Sequence, residues 1–190
     1  MNIGTLPLFP LKTVLFPGGI LPLRIFEPRY LTMVSECLRK NNGFGVLLIK
    51  EEEDVRTYEI GTTAEIVDWD QGSDGLLGIS AEGGQRFQLE SAEKRTDGLY
   101  IATVQDIPDE PEAPVPNKYR FMVRLIKNVF DDLGTHDQIT YKNYDNSAWV
   151  GYRLAEILPL TLMAKQQLLE LNDPLERLSL LKAYIQKEFK

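Results

Sequence analysis

Prolines near the start of the chain constrain its fold more than any other feature. Five of the eleven prolines lie among apolar residues between Leu6 and Tyr30, namely Pro7, Pro10, Pro17, Pro22 and Pro28. Proline has no backbone N–H and a fixed φ, so it is excluded from helix interiors and from central strands. We therefore expect an edge strand at 6–10, a turn at 17–19, an extended segment at 20–26, and a helix that opens with Pro28 in its first position.

Short strand patterns follow this helix. The helix has an apolar stripe of Tyr30, Leu31, Val34 and Leu38, and Asn41-Asn42-Gly43 is a stop signal. Strand patterns then occupy 44–49, 57–69, 76–80, 85–91 and 99–106, separated by glycine-containing turns at 70–75, 82–84 and 96–98. Strands of this length and spacing predict a small closed or sandwiched antiparallel β fold.

The pattern changes after a proline-rich segment. Residues 108–116 are acidic and contain four prolines, which predicts a stiff linker. Helical spacing follows, with predicted helices at 117–133 and 147–158, capped by Asn117 and Ser147, then at 161–171 and from Pro174 onward after an Asp173 cap. The predicted class is thus α+β, with a β-rich lobe at 1–107 that includes one helix near 28–40, a linker at 108–116, and a four-helix lobe at 117–190.

Several of these Pro- and Gly-anchored segments occur in a recognisable order. They are LPLFPL at 6–11, VLFPG at 14–18, LPL at 21–23, IFEPRY at 25–30, YEIGTTAEI at 58–66, GGQRF at 83–87, LPL at 158–160 and KQQLLE at 165–170. Their order resembles the N-terminal substrate-binding domain of Lon-type ATP-dependent proteases. The resemblance implies a PUA-like β-barrel followed by a helical bundle, and a role in recognising proteins or peptides.

Composition narrows the classes of function. The formal net charge of −7 disfavours binding to a phosphate backbone, so no nucleic-acid partner is expected. No apolar run approaches the roughly 20 residues of a membrane helix, and the N-terminus lacks a signal-peptide pattern, so we expect no membrane partner. The single cysteine, Cys37, has no partner for an internal disulfide, which favours a cytoplasmic protein.

The sequence has no motif for ATP hydrolysis or for proteolysis. The phosphate-binding pattern G-x-x-x-x-G-K-[ST] does not occur. In the family that the resemblance points to, the Ser–Lys pair of the protease belongs to a separate C-terminal domain. We therefore expect a stand-alone recognition domain that lacks the ATPase and protease domains, is not an enzyme and requires no cofactor.

Other reactive side chains keep an alternative open, a small hydrolase. Ser80, in GISAEG, is faintly similar to a nucleophile elbow, with one residue too many before the second glycine. Cys37 has no nearby histidine in the sequence to activate it, and His136 with one thiol and scattered carboxylates does not make a zinc site. The acidic groups at 51–54 and 131–132 are interpreted as solvated surface and not as acid–base catalysts. Since a zinc site needs three or four ligands, no metal is expected.

Large apolar side chains supply the candidate binding surface. The predicted protein-binding residues are Phe16, Ile25, Phe26, Tyr30 and Trp69, with core packing as the alternative for each. The expected partners are unfolded or damaged polypeptides or a larger protease machine, and self-association is a further expectation. A PUA-like RNA-binding protein is the remaining alternative, because barrels of that kind sometimes bind RNA.

Overall fold

The structure, a computed structural model, describes residues 3–51, 56–133 and 142–188. The chain divides into two compact units, Met1–Asp109 and Glu110–Lys190. The division falls inside the segment predicted as a linker.

Five strands of the first unit form a closed ring. The elements of this unit are β1 (Ile3–Leu11), β2 (Ile20–Ile25), α1 (Pro28–Lys40), β3 (Phe44–Glu51), β4 (Arg56–Thr57), β5 (Ile60–Gln71), β6 (Leu77–Lys94) and β7 (Tyr100–Asp106). Strands β1, β7, β6, β5 and β3 are neighbours in that order, and β3 pairs with β1 to close the ring. Outside it, β2 pairs with β6 and β4 with β3.

The predicted α+β class, with a β-rich first half and a helical second half, is confirmed. One pairing departs from the predicted antiparallel fold, because β1 and β3 are parallel. Parallel neighbours need a long crossover connection. The chain supplies one through β2 and α1.

β1 is not the edge strand that its prolines predict. It pairs with β7 from Ile3 to Leu8 and with β3 from Leu8 to Leu11. The residues before Leu8 therefore pair only with β7, and the residues after Leu8 pair only with β3. Pro7 and Pro10 each have a single neighbouring strand. A missing N–H is tolerated there for the same reason that it is tolerated in an edge strand.

β6 is one long strand where the sequence predicts two, at 76–80 and 85–91. Gly83 lies inside this strand and forms two backbone hydrogen bonds with the turn at 17–19. The Gly18 N–H donates to the Gly83 carbonyl, and the Gly83 N–H donates to the Gly19 carbonyl at 2.8 Å. A Cβ at Gly83 would collide with the Phe16 carbonyl oxygen. Glycine thus permits a close approach of two backbones here and does not end the strand.

The two faces of the strands contribute to two apolar clusters. The first contains Leu8, Leu47, Phe87, Ala102 and Val104. The second includes the inner side of α1 and contains Phe9, Leu15, Ile25, Tyr30, Met33, Val34, Cys37, Phe44, Val46, Ala64, Ile79, Ala81 and Leu99. Adjacent residues Leu8 and Phe9 enter different clusters, as the alternation of a strand requires. Each large side chain buried in this way contributes about 1.5–3 kcal/mol before entropy is counted.

The second unit is helical in its described residues. A 3-10 turn (Asn117–Tyr119) leads into α2 (Arg120–Leu133), followed by α3 (Ser147–Ile157), α4 (Leu162–Glu170) and α5 (Pro174–Glu188). The Asp173 cap of α5 is confirmed, because the Leu175 N–H donates to its carboxylate at 2.8 Å. The cap of α3 is Asn146, which accepts from the Trp149 N–H, and not Ser147 as predicted; Asn117 opens the 3-10 turn instead of capping an α-helix. None of the helices in the described ranges is both long and apolar enough to cross a membrane.

A buried ion pair fixes the acidic segment to these helices. The Arg177 side chain has no exposed surface and donates Nη1–H to Glu110 Oε2 at 2.7 Å and Nε–H to the Leu168 carbonyl at 2.8 Å. The Tyr152 hydroxyl also donates to Glu110, and its ring lies 4.2 Å from the Arg177 guanidinium carbon. The part of the predicted linker from Glu110 onward is therefore bonded into the helical unit.

Candidate functional site

The five predicted binding residues separate into two groups in the structure. Phe16, Ile25 and Tyr30 are 0%, 2% and 7% exposed, respectively. Ile25 and Tyr30 belong to the second cluster, where the Tyr30 ring stacks on Phe9 at 4.0 Å between centroids and burial raises the pKa of its hydroxyl. Phe16 offers no surface to a partner, which corrects that prediction. Phe26 and Trp69 are exposed by 66% and 61%.

A β-bulge sets the direction of the Trp69 side chain. The pairing of β5 with β6 shifts between Ile66 and Asp68, so that β5 contains one residue more than its partner strand. The shift returns Trp69 to the sheet face of Ile66 and of its own partner, Ile79. Strict alternation along β5 would have placed Trp69 on the opposite face.

Trp69 forms one wall of a shallow apolar trough, and α1 forms the other. We call it the α1–β5 trough; it has a volume of about 510 Å³ and is lined by Leu31, Val34, Ser35, Leu38, Arg39, Trp69 and Leu77. Leu31 and Leu38 are 40% and 45% exposed, so they lie outside the buried side of α1, which consists of Tyr30, Met33, Val34 and Cys37. The sequence placed both leucines in the apolar stripe of the helix, and their role as trough residues was missed.

The strand beside the trough has an open edge. Along β5, the pairing with β3 extends only as far as Ala64, which lies opposite Phe44, the first residue of β3. Beyond that point β5 has β6 on one side and, in the part of the chain that the structure describes, no strand on the other. The Trp69 N–H donates to the Asp68 carboxylate at 2.9 Å and so faces away from β6. The bonding pattern of antiparallel strands repeats every second residue, which directs the backbone groups of Gln71 the same way.

Acidic side chains lie on the sheet face opposite the trough. Asp70 lies over its partner Gly78, where a Cβ would collide with the carboxylate, and Asp68 shares this face. Both are exposed, and neither is in an ion pair with any described residue. By contrast, Glu36 on α1 accepts from Arg95 at 3.0 Å, and this hydrogen bond holds the pKa of Glu36 below its usual range.

The charge of the whole chain is concentrated in the first unit. Residues 1–109 contain 17 acidic and 10 basic side chains, which gives −7, whereas residues 110–190 contain 11 of each. The α1–β5 trough therefore lies on the unit that attracts cationic partners.

A second apolar groove lies at the start of α1. It has a volume of about 420 Å³ and is lined mainly by Phe9, Pro10, Leu11, Leu23, Ile25, Phe26, Tyr30 and Ile49. At its polar rim, Arg29 Nη2 lies 2.7 Å from Glu27 Oε2, and the Arg29 guanidinium lies over the Tyr30 ring. Phe26 is thus the exposed apolar side chain at this groove, separate from those that line the trough.

The side chains considered as catalytic residues or metal ligands do not form a common site in the described residues. Cys37 is 2% exposed, and burial raises the pKa of its thiol to about 11, which is the reverse of the shift that activates a nucleophile. Ser80 lies within β6, paired with Pro22 and Asp68, and not at a strand-to-helix turn. Within the described ranges, no three His, Cys, Asp or Glu side chains are grouped as metal ligands. His136 and residues 52–54 of the acidic group lie outside the described residues.

In the described residues, an exposed tryptophan thus lies in an apolar trough next to a strand edge with no partner strand, and features of this kind are typical of surfaces that bind proteins. The chain belongs to the ATP-dependent protease La (LON) substrate-binding domain family, whose model matches residues 5–187. The resemblance read from the sequence is thereby confirmed.

Curated relatives extend well beyond the matched region. The chain is 28% identical to a Lon protease of Parabacteroides distasonis over 97% of its length and 24% of that protein, and 25% identical to a Lon protease of Amoebophilus asiaticus over 92% and 22%. It is also 32% identical to protein cereblon of Gallus gallus over 55% of this chain and 24% of cereblon. The chain thus spans about a quarter of the length of these relatives.

Solved structures agree with the family assignment. The Lon N-terminal domain protein from Xanthomonas campestris superposes with a TM-score of 0.81 at 35% identity, covering 96% of this chain and 99% of that one. The N-terminal domain of the Mycobacterium avium complex Lon protease matches with a TM-score of 0.70 at 17% identity, over 96% and 98%. The second match supports the fold alone.

Proposed function

We propose that this protein recognises exposed segments of unfolded or damaged polypeptides at the α1–β5 trough and carries out no catalysis itself. The observation that carries the proposal is the 61% exposure of Trp69 beside Leu31 and Leu38, three exposed apolar side chains that line one trough. Monomeric proteins rarely expose contiguous apolar patches unless these patches bind something. The family description, a substrate-binding domain, supports the same class of function.

The trough suits a flexible ligand better than a small molecule. It is shallow, and the polar side chains at its lining, Ser35 and Arg39, are few. Small-molecule and catalytic sites are enclosed and contain several convergent polar groups. The buried Cys37 and the strand position of Ser80 give a hydrolase no support.

The negative charge of the first unit favours a polypeptide ligand over RNA. The first unit has a net charge of −7, and its exposed carboxylates Asp68 and Asp70 lie next to the trough edge. Phosphate backbones bind where lysine and arginine cluster. We therefore favour polypeptides over nucleic acid, and the single buried thiol of Cys37 suits a reducing compartment such as the cytoplasm.

The proposal is tested with an unfolded polypeptide of known origin. Fluorescein-labelled pancreatic ribonuclease, reduced and capped with iodoacetamide, is titrated with the protein, and anisotropy reports the affinity; native ribonuclease is the control ligand. We expect binding of the unfolded form only. Trp69→Ala should weaken it about tenfold, since a central aromatic contact contributes more than about 1.4 kcal/mol.

Matched variants keep this test specific. Met163 in α4 is 62% exposed, so Met163→Ala removes a similarly exposed apolar side chain from the other unit and should leave the affinity unchanged. Phe26→Ala tests the second groove in the same way. Equal affinities for wild type, Trp69→Ala and Met163→Ala would contradict the proposal, as would a complete lack of binding to the unfolded ribonuclease.

A further inference from the structure

We propose that the ligand binds as an added β-strand along the open edge of β5, from Ile66 to Gln71, with basic residues alternating with apolar ones. This inference rests on the proposed function and specifies the ligand. An unpaired strand edge offers backbone donors and acceptors in a fixed register, and an extended peptide can bond to them. Among the described strands, β3 stops pairing at Ala64 and no other strand continues along this edge.

The side chains of β5 dictate the sequence pattern of the ligand. A residue opposite Trp69 shares the face of the α1–β5 trough and should be apolar, as Leu31 and Leu38 are. Residues opposite Asp68 and Asp70 share the other face and meet carboxylates that are in no ion pair with a described residue. Opposite charges across neighbouring strands are favourable and like charges are not. The preferred ligand therefore has lysine or arginine at every second position.

The same carboxylates disfavour a second copy of this chain as the occupant. If two β5 edges paired antiparallel with Trp69 opposite Trp69, Asp68 of one copy would lie opposite Asp70 of the other. Acid opposite acid is destabilising, and charged residues on edge strands are a common means of preventing self-pairing.

Asp68 also links charge recognition to strand pairing. In the free protein its carboxylate accepts the outward Trp69 N–H at 2.9 Å, which occupies a donor that an added strand would need. A cationic side chain opposite Asp68 competes for that carboxylate and releases the N–H. An apolar strand without a cation would leave the donor occupied by Asp68.

The test uses short fluorescein-labelled peptides in which lysine alternates with valine. Two derivatives have the same side chains but are N-methylated either at the valines or at the lysines. In an added strand one set of amides faces β5 and the other faces away, so only one of the two methylated peptides should lose affinity. Equal affinities for both would overturn strand addition.

Charge reversal provides the second test. Replacing the lysines of the peptide by glutamate should abolish binding to the wild-type protein, and the Asp68→Lys/Asp70→Lys variant should bind the glutamate peptide and reject the lysine peptide. Both positions are exposed, so the variant is expected to fold, and circular dichroism checks this. Failure of the variant to exchange its preference would overturn the inference.

The outcomes distinguish this inference from the proposed function. Binding of unfolded ribonuclease that depends on Trp69, together with equal affinity for both methylated peptides, would remove strand addition and leave polypeptide recognition in place. Failure of the protein to bind any polypeptide would remove both. Sedimentation of the free wild-type protein as a dimer that dissociates when the lysine peptide is added would assign the edge to a second copy and overturn the assigned occupant.

Discussion

Cys37 illustrates how burial decides the chemistry of a single side chain. Its Sγ–H donates to the Gly43 carbonyl at 3.5 Å from the inner side of α1. Removing the thiol from water disfavours the thiolate, and this raises its pKa to about 11. A reactive cysteine requires the opposite, a stabilised thiolate that reagents can reach.

The first prediction concerns the reactivity of this thiol. Because Cys37 is the only cysteine, a thiol-specific dye reports it without ambiguity. At pH 8 the native protein should react more than ~100-fold more slowly than the protein unfolded in guanidinium, since little thiolate forms below a pKa of about 11. Labelling of the native protein at the rate of the unfolded chain would show that Cys37 is accessible and ionised.

Glu156, in the helical unit, is a second side chain whose pKa is raised by burial. Burial raises the pKa of its carboxyl from 4.5 to about 7, and the nearby Arg153 and Lys165 only partly offset this. The folded pKa exceeds the unfolded one, so the protonated form is favoured by folding. The resulting stabilisation is complete below about pH 4.5 and is lost as the pH rises through 7.

The second prediction follows from this loss of stability as the pH rises. In a Trp69→Phe background the remaining tryptophan, Trp149 on α3, reports the unfolding of the helical unit by urea. The free energy of unfolding should fall by ~1–3 kcal/mol between pH 5 and pH 8 relative to Glu156→Gln, which cannot ionise. Parallel pH profiles for the two proteins would contradict the assignment of this shift to Glu156.

Arg177 connects several segments of the helical unit. Its guanidinium binds the Glu110 carboxylate and the carbonyls of Leu168 and Leu171. Removing one member of a fully buried pair leaves an uncompensated charge, which costs more than the pair contributes. The segment from Glu110 is therefore as important to this unit as its helices are.

The third prediction tests this pair. Arg177→Met and Glu110→Gln should each destabilise the helical unit by ~3–5 kcal/mol, and the double variant should lose less than the sum of the two. Arg120→Met is the control, because its pair with Asp145 is 44% and 79% exposed and should contribute under ~1 kcal/mol. Additive effects in the double variant would show that Arg177 and Glu110 do not act together.

Some elements are readable from the sequence and others are not. Pro28 at the start of α1 and the Asp173 cap of α5 are local signals, and both are confirmed. The continuity of β6 through Gly83 depends on the backbone of a turn that is distant in sequence, near Phe16. No local pattern contains that contact, so a glycine pair was interpreted as a turn.

The candidate binding surface was also only partly predictable from the sequence. Phe26 and Trp69 were among the predicted residues, but hydrophobicity alone did not separate them from the buried Phe16, Ile25 and Tyr30. The direction of Trp69 depends on a bulge at Val67, and periodicity does not reveal an extra residue in one strand. The spacing of Leu31 and Leu38, seven apart on α1, was the available signal for the trough.

The net negative charge and the α1–β5 trough both lie in residues 1–109. That unit holds the entire net charge of −7 and the α1–β5 trough, while the helical unit is neutral overall. If the proposed function holds, we expect long-range attraction to increase the rate at which a basic unfolded segment meets the first unit, and apolar contacts at Trp69 to hold it. We therefore expect recognition to involve the first unit alone.

Amide hydrogen exchange of the intact protein, with and without unfolded ribonuclease, tests whether a polypeptide occupies the α1–β5 trough. We predict slower exchange for the β5 segment from Ile66 to Gln71 and for α1, because an occupied trough covers both. The helical unit, including the exposed Leu162 and Met163, should exchange at an unchanged rate. Protection confined to the helical unit, with Ile66–Gln71 unaffected, would contradict the account.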